Sequence, residues 1–222
     1  MRTLVISDIH GCIVSLATLL AYARPETDDL IITLGDYVDR GPASAGVLDR
    51  LIKLHETHRV ISLRGNHDVT MVRAHSGDFA EEQQFWLAIG GKPTLESYPR
   101  ESLDNVPGAH WNFLEDTCRN WYETDTHIFV HAYVAPHLPL DKQPEQELFW
   151  RTFSPSAPPH GSGKIVVCGH TVQRNRLPLN LGYAICIETG AYADDGWLTC
   201  LDIASGHFWQ ANERGDTRRG TL

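Results

Sequence analysis

The 222-residue chain has no run of 18 uninterrupted apolar residues, so no membrane-spanning helix and no membrane partner is expected of it. It has no CxxC pair, and its cysteines number five: Cys12, Cys118, Cys168, Cys186 and Cys200. An odd count without paired spacing argues against a disulfide framework and a Cys-rich structural zinc site. Three of the five lie in apolar runs ("IVVCG", "AICIE", "WLTCLD") and read as reduced core residues, as expected in a cytoplasmic protein. The opening "MRTLVISDIHG" has no apolar segment of signal-peptide length. Basic charge is also scarce: 19 Lys and Arg stand against 28 Asp and Glu, a net charge of −9. That balance argues against a nucleic-acid partner, whose backbone demands clustered cations. It leaves a small phosphorylated substrate open, because a few local cations can dominate one pocket. Neither an internal repeat nor a low-complexity stretch is present.

What is present begins with alternation. "TLVIS" (3–7), "LIITL" (30–34) and "RVISL" (59–63) read as strands, and "SLATLLAYA" (15–23) and "SAGVLDRLIKLHETH" (44–58) as the helices between them. This β-α-β-α-β order predicts parallel strands with covering helices, and nearly continuous apolar strands suit a sheet buried on both faces. Residues 68–121 change character, and a helical cap inserted within a single domain is expected there. Strands return at 127–133, 164–170 and 183–190, followed by a hairpin over 197–211 turning at Ala204-Ser205-Gly206. The polar tail "ERGDTRRGTL" is expected to fray.

Chemistry collects where the strands end. "TLVIS" leads to Asp8 and His10, and "LIITL" to Asp36, Asp39 and Arg40. "RVISL" leads to Arg64, Asn66, His67 and Asp68, "HIFV" to His131, and "KIVVCG" to His170. In open α/β sheets ligands bind beyond the carboxyl ends of strands. One such Asp is ordinarily a helix cap, but five charged strand ends that include histidines are not explained by capping. Asp, His and Asn form a mixed N/O donor set that suits Mn, Fe or Zn better than Ca or Mg. Six candidate ligands exceed what one tetrahedral ion needs, so two divalent metal ions sharing a carboxylate are expected. Such a pair serves in-line displacement at phosphorus.

The ordered set "DIHG" (8–11), "GDYVDRG" (35–41), "RGNHD" (64–68), "HA" (131–132) and "GHT" (169–171) resembles the calcineurin-like metallophosphoesterases. Within them it is similar to the short bacterial and phage Ser/Thr phosphatases of the phosphoprotein phosphatase family. The resemblance implies a four-layer α/β/β/α sandwich with mixed sheets. It also implies that Asp8 and His10 hold one metal, Asp36 bridges both, and Asn66, His131 and His170 complete the second. His67 would be the general acid, oriented by Asp39. Arg40, Arg151 and Asn66 would bind the substrate phosphate, Arg151 on a looser motif match ("LFWRTF"). The implied reaction is direct attack on phosphorus by a hydroxide shared between two metals, most simply manganese.

Three positions depart from the family pattern: Tyr133 stands where "HAG" has Gly, Glu188 where "DTGA" has Asp, and Val172 where "GHTP" has Pro. A dinucleoside-polyphosphate hydrolase is the alternative, because that family shares the stretch seen here as Arg40-Gly41-Pro42-Ala43-Ser44 but has Ala at the position of Asp39. Nucleases of the superfamily carry "GHxH", whereas Val172 follows Thr171 here. A scaffold without catalysis would require a lost ligand or acid. Trp86 and Trp111 are expected to pack, and Asp68 to start a helix or support the site without binding metal.

Overall fold

The structure, a computed structural model, describes residues 1–77 and 80–222. Three parallel strands open the first sheet: β1 (Thr3–Ile6), β2 (Leu30–Thr33) and β3 (Arg59–Ser62). The second sheet is built from β4 (Trp121–Glu123), β5 (His127–Val130), β6 (Ile165–Cys168), β7 (Leu179–Asn180) and β8 (Ala184–Cys186). The chain then returns to the first sheet as β9 (Leu198–Asp202), β10 (His207–Ala211) and β11 (Thr217–Thr221). The strand orders are β11-β10-β9-β1-β2-β3 and β4-β5-β6-β8-β7. Both sheets are mixed: β1-β2-β3 and β5-β6-β8 run parallel, while β9 to β11, β4 and β7 pair antiparallel.

Side-chain alternation stacks the layers. Leu4 and Ile6 face the helices, and Val5 between them faces the other sheet. Ile128 and Val130 pack outward, and Phe129 packs inward against Val5, Ile32, Val167 and Leu201. Strands β1 and β5 are therefore buried on both faces, which is why these runs are almost wholly apolar. Helix α1 (Ile13–Ala23) lays Leu16, Leu19, Leu20 and Ala23 on the first sheet at helical spacing. It ends where Arg24 turns left-handed (φ 49°) and Pro25 follows. Helix α2 (Ser44–Thr57) buries Val47, Leu48, Leu51 and Leu54 on the same side. Over the second sheet the covering layer is thin, a 3₁₀ turn at Leu140–Lys142 and a π turn at Gln146–Trp150 that pack Leu140, Leu148 and Phe149.

Short helices occupy much of the stretch between the sheets: α3 (Asn66–Ser76), α4 (Ala80–Trp86), α5 (Lys92–Glu96) and α6 (Gly108–Asn112). Asp78 and Phe79, within the expected cap, lie outside the described residues. Two local expectations fail. Trp121, read as helical, begins β4, because its neighbours pair with Phe129 and Ile128 of β5. The tail does not fray: Thr217–Thr221 pairs along the whole of β10. Arg218 anchors it, donating to Gln210 Oε1 at 2.6 Å with its guanidinium 4.2 Å over the Trp197 ring. A charged edge strand reads as a polar tail because its Arg residues guard the open edge.

Candidate metal centre

The carboxyl ends of β1 and β2 are tied together before any side chain is considered. The Ile9 and His10 amides donate to the Asp36 carbonyl at 3.0 and 2.8 Å, and Gly11 donates to that of Tyr37 at 2.9 Å. This packing holds five site residues at left-handed backbone angles: His10 (φ 47°), Asp36 (51°), Asp39 (71°), Arg40 (68°) and His170 (58°). Non-glycine residues persist there only when the surroundings impose it. Two glycines let the carboxylates in. A Cβ on Gly65 would stand 2.1 Å from Asp36 Oδ1, and one on Gly169 would stand 2.1 Å from Asp8 Oδ1.

Asp36 sits at the centre. Its Oδ2 is 3.4 Å from His10 Nε2 and 3.5 Å from His131 Nε2, and its Oδ1 accepts from the His67 amide at 3.0 Å. The donor atoms of His10, Asp36 and His67 lie within 4.8 Å of one another, as do those of Asp36, His131 and His170. Asp36 alone belongs to both groups. Burial works to raise its pKa, but the four surrounding imidazoles outweigh burial and hold it well below the usual carboxylate range.

The tautomers decide what this cluster can hold. Backbone carbonyls only accept, so His10 Nδ1 carries a proton donated to Val38 O (2.9 Å), and His131 Nδ1 one donated to Leu34 O (2.9 Å). Each ring therefore turns a bare Nε2 toward Asp36. Around His131 Nε2 stand Asn66 Oδ1 at 3.0 Å and His170 Nδ1 at 3.2 Å, as well as Asp36. Burial pushes His10 well below the ordinary histidine value, lowers His131 to about 4, and lowers His170. Bare nitrogens and carbonyl oxygens converging on an ionised carboxylate repel one another unless a cation lies among them. The donor set thus fits divalent metal ions, with carbonyl hydrogen bonds orienting the histidines behind it.

Asp8, expected on the first metal, uses its carboxylate to accept from the His170 amide at 2.9 and 3.2 Å. Asp8 thereby couples the two sheets. His67, expected beside the metals without binding one, does reach the cluster. Its Nδ1 is committed to Asp39 Oδ2 at 2.7 Å, which leaves Nε2 facing the site. Burial opposes protonation of His67, but the charge of Asp36 and the hydrogen bond to Asp39 prevail and raise its pKa. Burial likewise raises that of Asp39. However, Trp86 Nε1 (3.0 Å) and Thr94 Oγ1 (2.8 Å) also donate to Asp39, so its geometry is satisfied by the carboxylate form.

Asp68 braces the loops around the site through its carboxylate. It accepts from the amides of Gly65 (2.8 Å), Asp36 (2.8 Å) and Tyr37 (2.9 Å), fixing the loops after β2 and β3. Arg40 reaches the cluster, with Nη1 2.9 Å from His10 Nε2. Arg151 pairs with Glu147 at 2.5 Å and lies 5.8 Å over the Tyr133 ring. Trp86 and Thr94 were missed as supports of Asp39, since an indole or a hydroxyl between helices carries no motif. Glu188 is buried, with Oε1 accepting from Gly190 N at 2.6 Å and Oε2 without a protein partner. Burial, reinforced by the charge of Asp36, pushes it up to about 8.

With this geometry in place, the comparisons agree on a class. Residues 1–175 match the calcineurin-like phosphoesterase family, and the chain belongs to it. It is similar to serine/threonine-protein phosphatase 1 of Salmonella typhimurium, 29% identical over 84% of this chain and 85% of that protein. It is also similar to a symmetrical bis(5'-nucleosyl)-tetraphosphatase of Ralstonia nicotianae, 33% identical over 67% of this chain but only 50% of that protein. A crystal structure of a putative diadenosine tetraphosphatase shares the fold, with a TM-score of 0.68 at 20% identity over 99% of this chain and 93% of the other. A cold-active protein-tyrosine phosphatase of a Shewanella species superposes at 0.68, with 18% identity over 98% of this chain and 80% of the other. The chain is thus a metallophosphoesterase, a hydrolase of a family that uses divalent metals. Among the described residues, no helix is long and apolar enough to cross a membrane.

Proposed function

We propose that the chain is a binuclear-metal phosphomonoesterase that acts on phosphoserine or phosphothreonine in proteins. The observation that carries this reading is the His67–Asp39 pair, with Trp86 and Thr94 fixing Asp39 from behind. An alkoxide is a poor leaving group and needs a proton, and His67 Nε2 faces the site with Nδ1 already held. The near full-length match to the Salmonella phosphatase supports the same reading.

The proposed metal ligands are Asp36, shared between two positions, with His10 toward the first and Asn66, His131 and His170 toward the second. Asp8 aligns His170 and stands next to the first position. Two divalent cations held there, manganese on this reading, supply a nucleophile at neutral pH and charge neutralisation at phosphorus. Arg40 and Asn66 bind phosphoryl oxygens, and Arg151 joins them only by leaving Glu147. Asp39 accepts the Nδ1–H and stabilises the His67 imidazolium, which gives its Nε2 proton to the departing oxygen and keeps the one on Nδ1.

The second reading, a dinucleoside-tetraphosphate hydrolase, has the Ralstonia relative in its favour. Turnover of a phosphoserine peptide, an aryl phosphate and a dinucleoside tetraphosphate, measured side by side on manganese-loaded protein, tests both. The phosphopeptide should be the best substrate by kcat/KM. Preference for the dinucleotide would replace the proposal with the second reading.

A further inference from the structure

Arg40 lacks what usually fixes an arginine. Its guanidinium meets no carboxylate among the described residues, and its side chain is exposed. Among the described residues, two contacts hold its guanidinium. Nη1 lies 2.9 Å from His10 Nε2, and the guanidinium carbon lies 4.5 Å from the centre of the Tyr192 ring. The backbone beneath is fixed, since Arg40 N donates to Gly90 O at 3.0 Å at a left-handed angle. The freedom that remains is that of a long, flexible side chain. His10 Nε2 is one of the atoms offered to a metal, so the hydrogen bond to it competes with ligation. Among the described residues, the Tyr192 face is the hold on the Arg40 guanidinium that does not.

Tyr192 is built to stay in place. It lies in the loop after β8, closed by two consecutive turns: Ala193 N to Gly190 O at 2.9 Å and Gly196 N to Ala193 O at 2.8 Å. Its ring also meets the His10 imidazole edge-on, with centroids 5.0 Å apart. Tyr192 and Arg40 both line a cleft of about 390 Å³, whose walls also include Asn212, Glu213 and Arg214. The ring is 39% exposed, so it is not core, and its removal should leave the fold intact.

We propose that Tyr192 is a positioning residue: its aromatic face holds the Arg40 guanidinium over the phosphate position and so sets affinity for the phosphoryl group. This rests on the assignment of Arg40 to phosphate made above. An aromatic face attracts a guanidinium through the ring quadrupole, modestly at an exposed site. Its value here is that Arg40 arrives already ordered, which lessens the entropy lost on binding.

The test is a double-mutant cycle on manganese-loaded protein, read both by KM for p-nitrophenyl phosphate and by calorimetric binding of inorganic phosphate. Tyr192→Ala should raise KM and the phosphate dissociation constant together, about fivefold, with kcat changing less than about twofold and metal content unchanged. Tyr192→Phe keeps the ring and should recover most of the loss. In an Arg40→Ala background, Tyr192→Ala should add nothing, because its effect passes through Arg40. Unchanged phosphate affinity in Tyr192→Ala, a phenylalanine as damaging as alanine, or additive losses with Arg40→Ala would each overturn the proposal. If phosphate binds the wild type but no phosphoester is turned over, the functional reading fails and the cycle on phosphate binding still decides the role of Tyr192. If the wild type does not bind phosphate, both fall.

Discussion

The two sheets supply the site in different ways. The first sheet contributes dense clusters that brace themselves: the loops after β1, β2 and β3 share backbone hydrogen bonds, and Asp68 ties the second to the third. The second sheet contributes isolated histidines that borrow their alignment from the first. His131 is turned by the carbonyl of Leu34, and the His170 amide is held by the carboxylate of Asp8. The first sheet therefore acts as the template, and the second is docked on it through the apolar layer around Val5, Phe129 and Val167. Metal affinity should depend on that docking, whereas proton delivery should depend on the first sheet and the helices packed against it.

This contrast can be broken on either side. The largest effect is expected at His67. His67→Asn should lower kcat roughly 10²–10⁴-fold on a phosphoserine peptide and far less on p-nitrophenyl phosphate, whose leaving group departs without a proton. Equal losses on the two substrates would place His67 among the ligands and not at proton transfer, and metal content measured alongside would show it. Next comes the strut between the sheets. Asp8→Ala removes the acceptor that fixes the His170 backbone and should weaken metal binding about 10–100-fold, the usual cost of losing a supporting partner. Metal titration checks this, and Asp8→Asn, which keeps an acceptor oxygen, should lose less if alignment is the main role.

Trp86→Phe should act through Asp39 alone. It removes one donor to a buried carboxylate, costing about 1–3 kcal/mol of stability. It should also reproduce, about tenfold, the substrate-dependent loss of His67→Asn, since an imperfectly held Asp39 orients His67 less well. A loss shared equally by both substrates would make Trp86 a packing residue only. The smallest effect is at the opposite ends of the strands. There Asp29, just before β2, accepts from Arg2 at 2.6 and 2.9 Å. Burial of Asp29 would raise its pKa, but the Arg2 guanidinium, with backbone donors, lowers it to about 2. A depressed carboxylate pKa stabilises the fold above the unfolded value of about 4 and loses that contribution as pH falls toward 2. Melting curves of wild type and Asp29→Asn should thus differ at pH 7 and converge only below about pH 2, with catalysis untouched.

The same contrast explains how far the sequence could be read. The first sheet's site residues sit in contiguous motifs, so Asp36, Asn66 and His67 stand out along the chain. The helical periods and the strands β1, β2, β5 and β6 were equally plain, because those strands are buried on both faces. His131 and His170 were legible only through short flanking motifs. Asp8 was legible by position, but not its turn toward the His170 amide. Trp86, Thr94 and Tyr192 were illegible as site residues, because their partners lie far away in sequence. The edge strand β11 was hidden for a related reason: its charges serve the open edge, and only pairing with β10 reveals it.

On the proposed function, Asp36 alone joins the two metal positions. Calorimetric titration of metal-free protein with manganese, in wild type, His131→Ala and Asp36→Asn, tests it most directly. Two ions per chain are expected in the wild type, and in His131→Ala one of the two should be weakened selectively. Both should be weakened together in Asp36→Asn, because one carboxylate serves both positions. A single ion in the wild type, or two undisturbed ions in Asp36→Asn, would contradict the account.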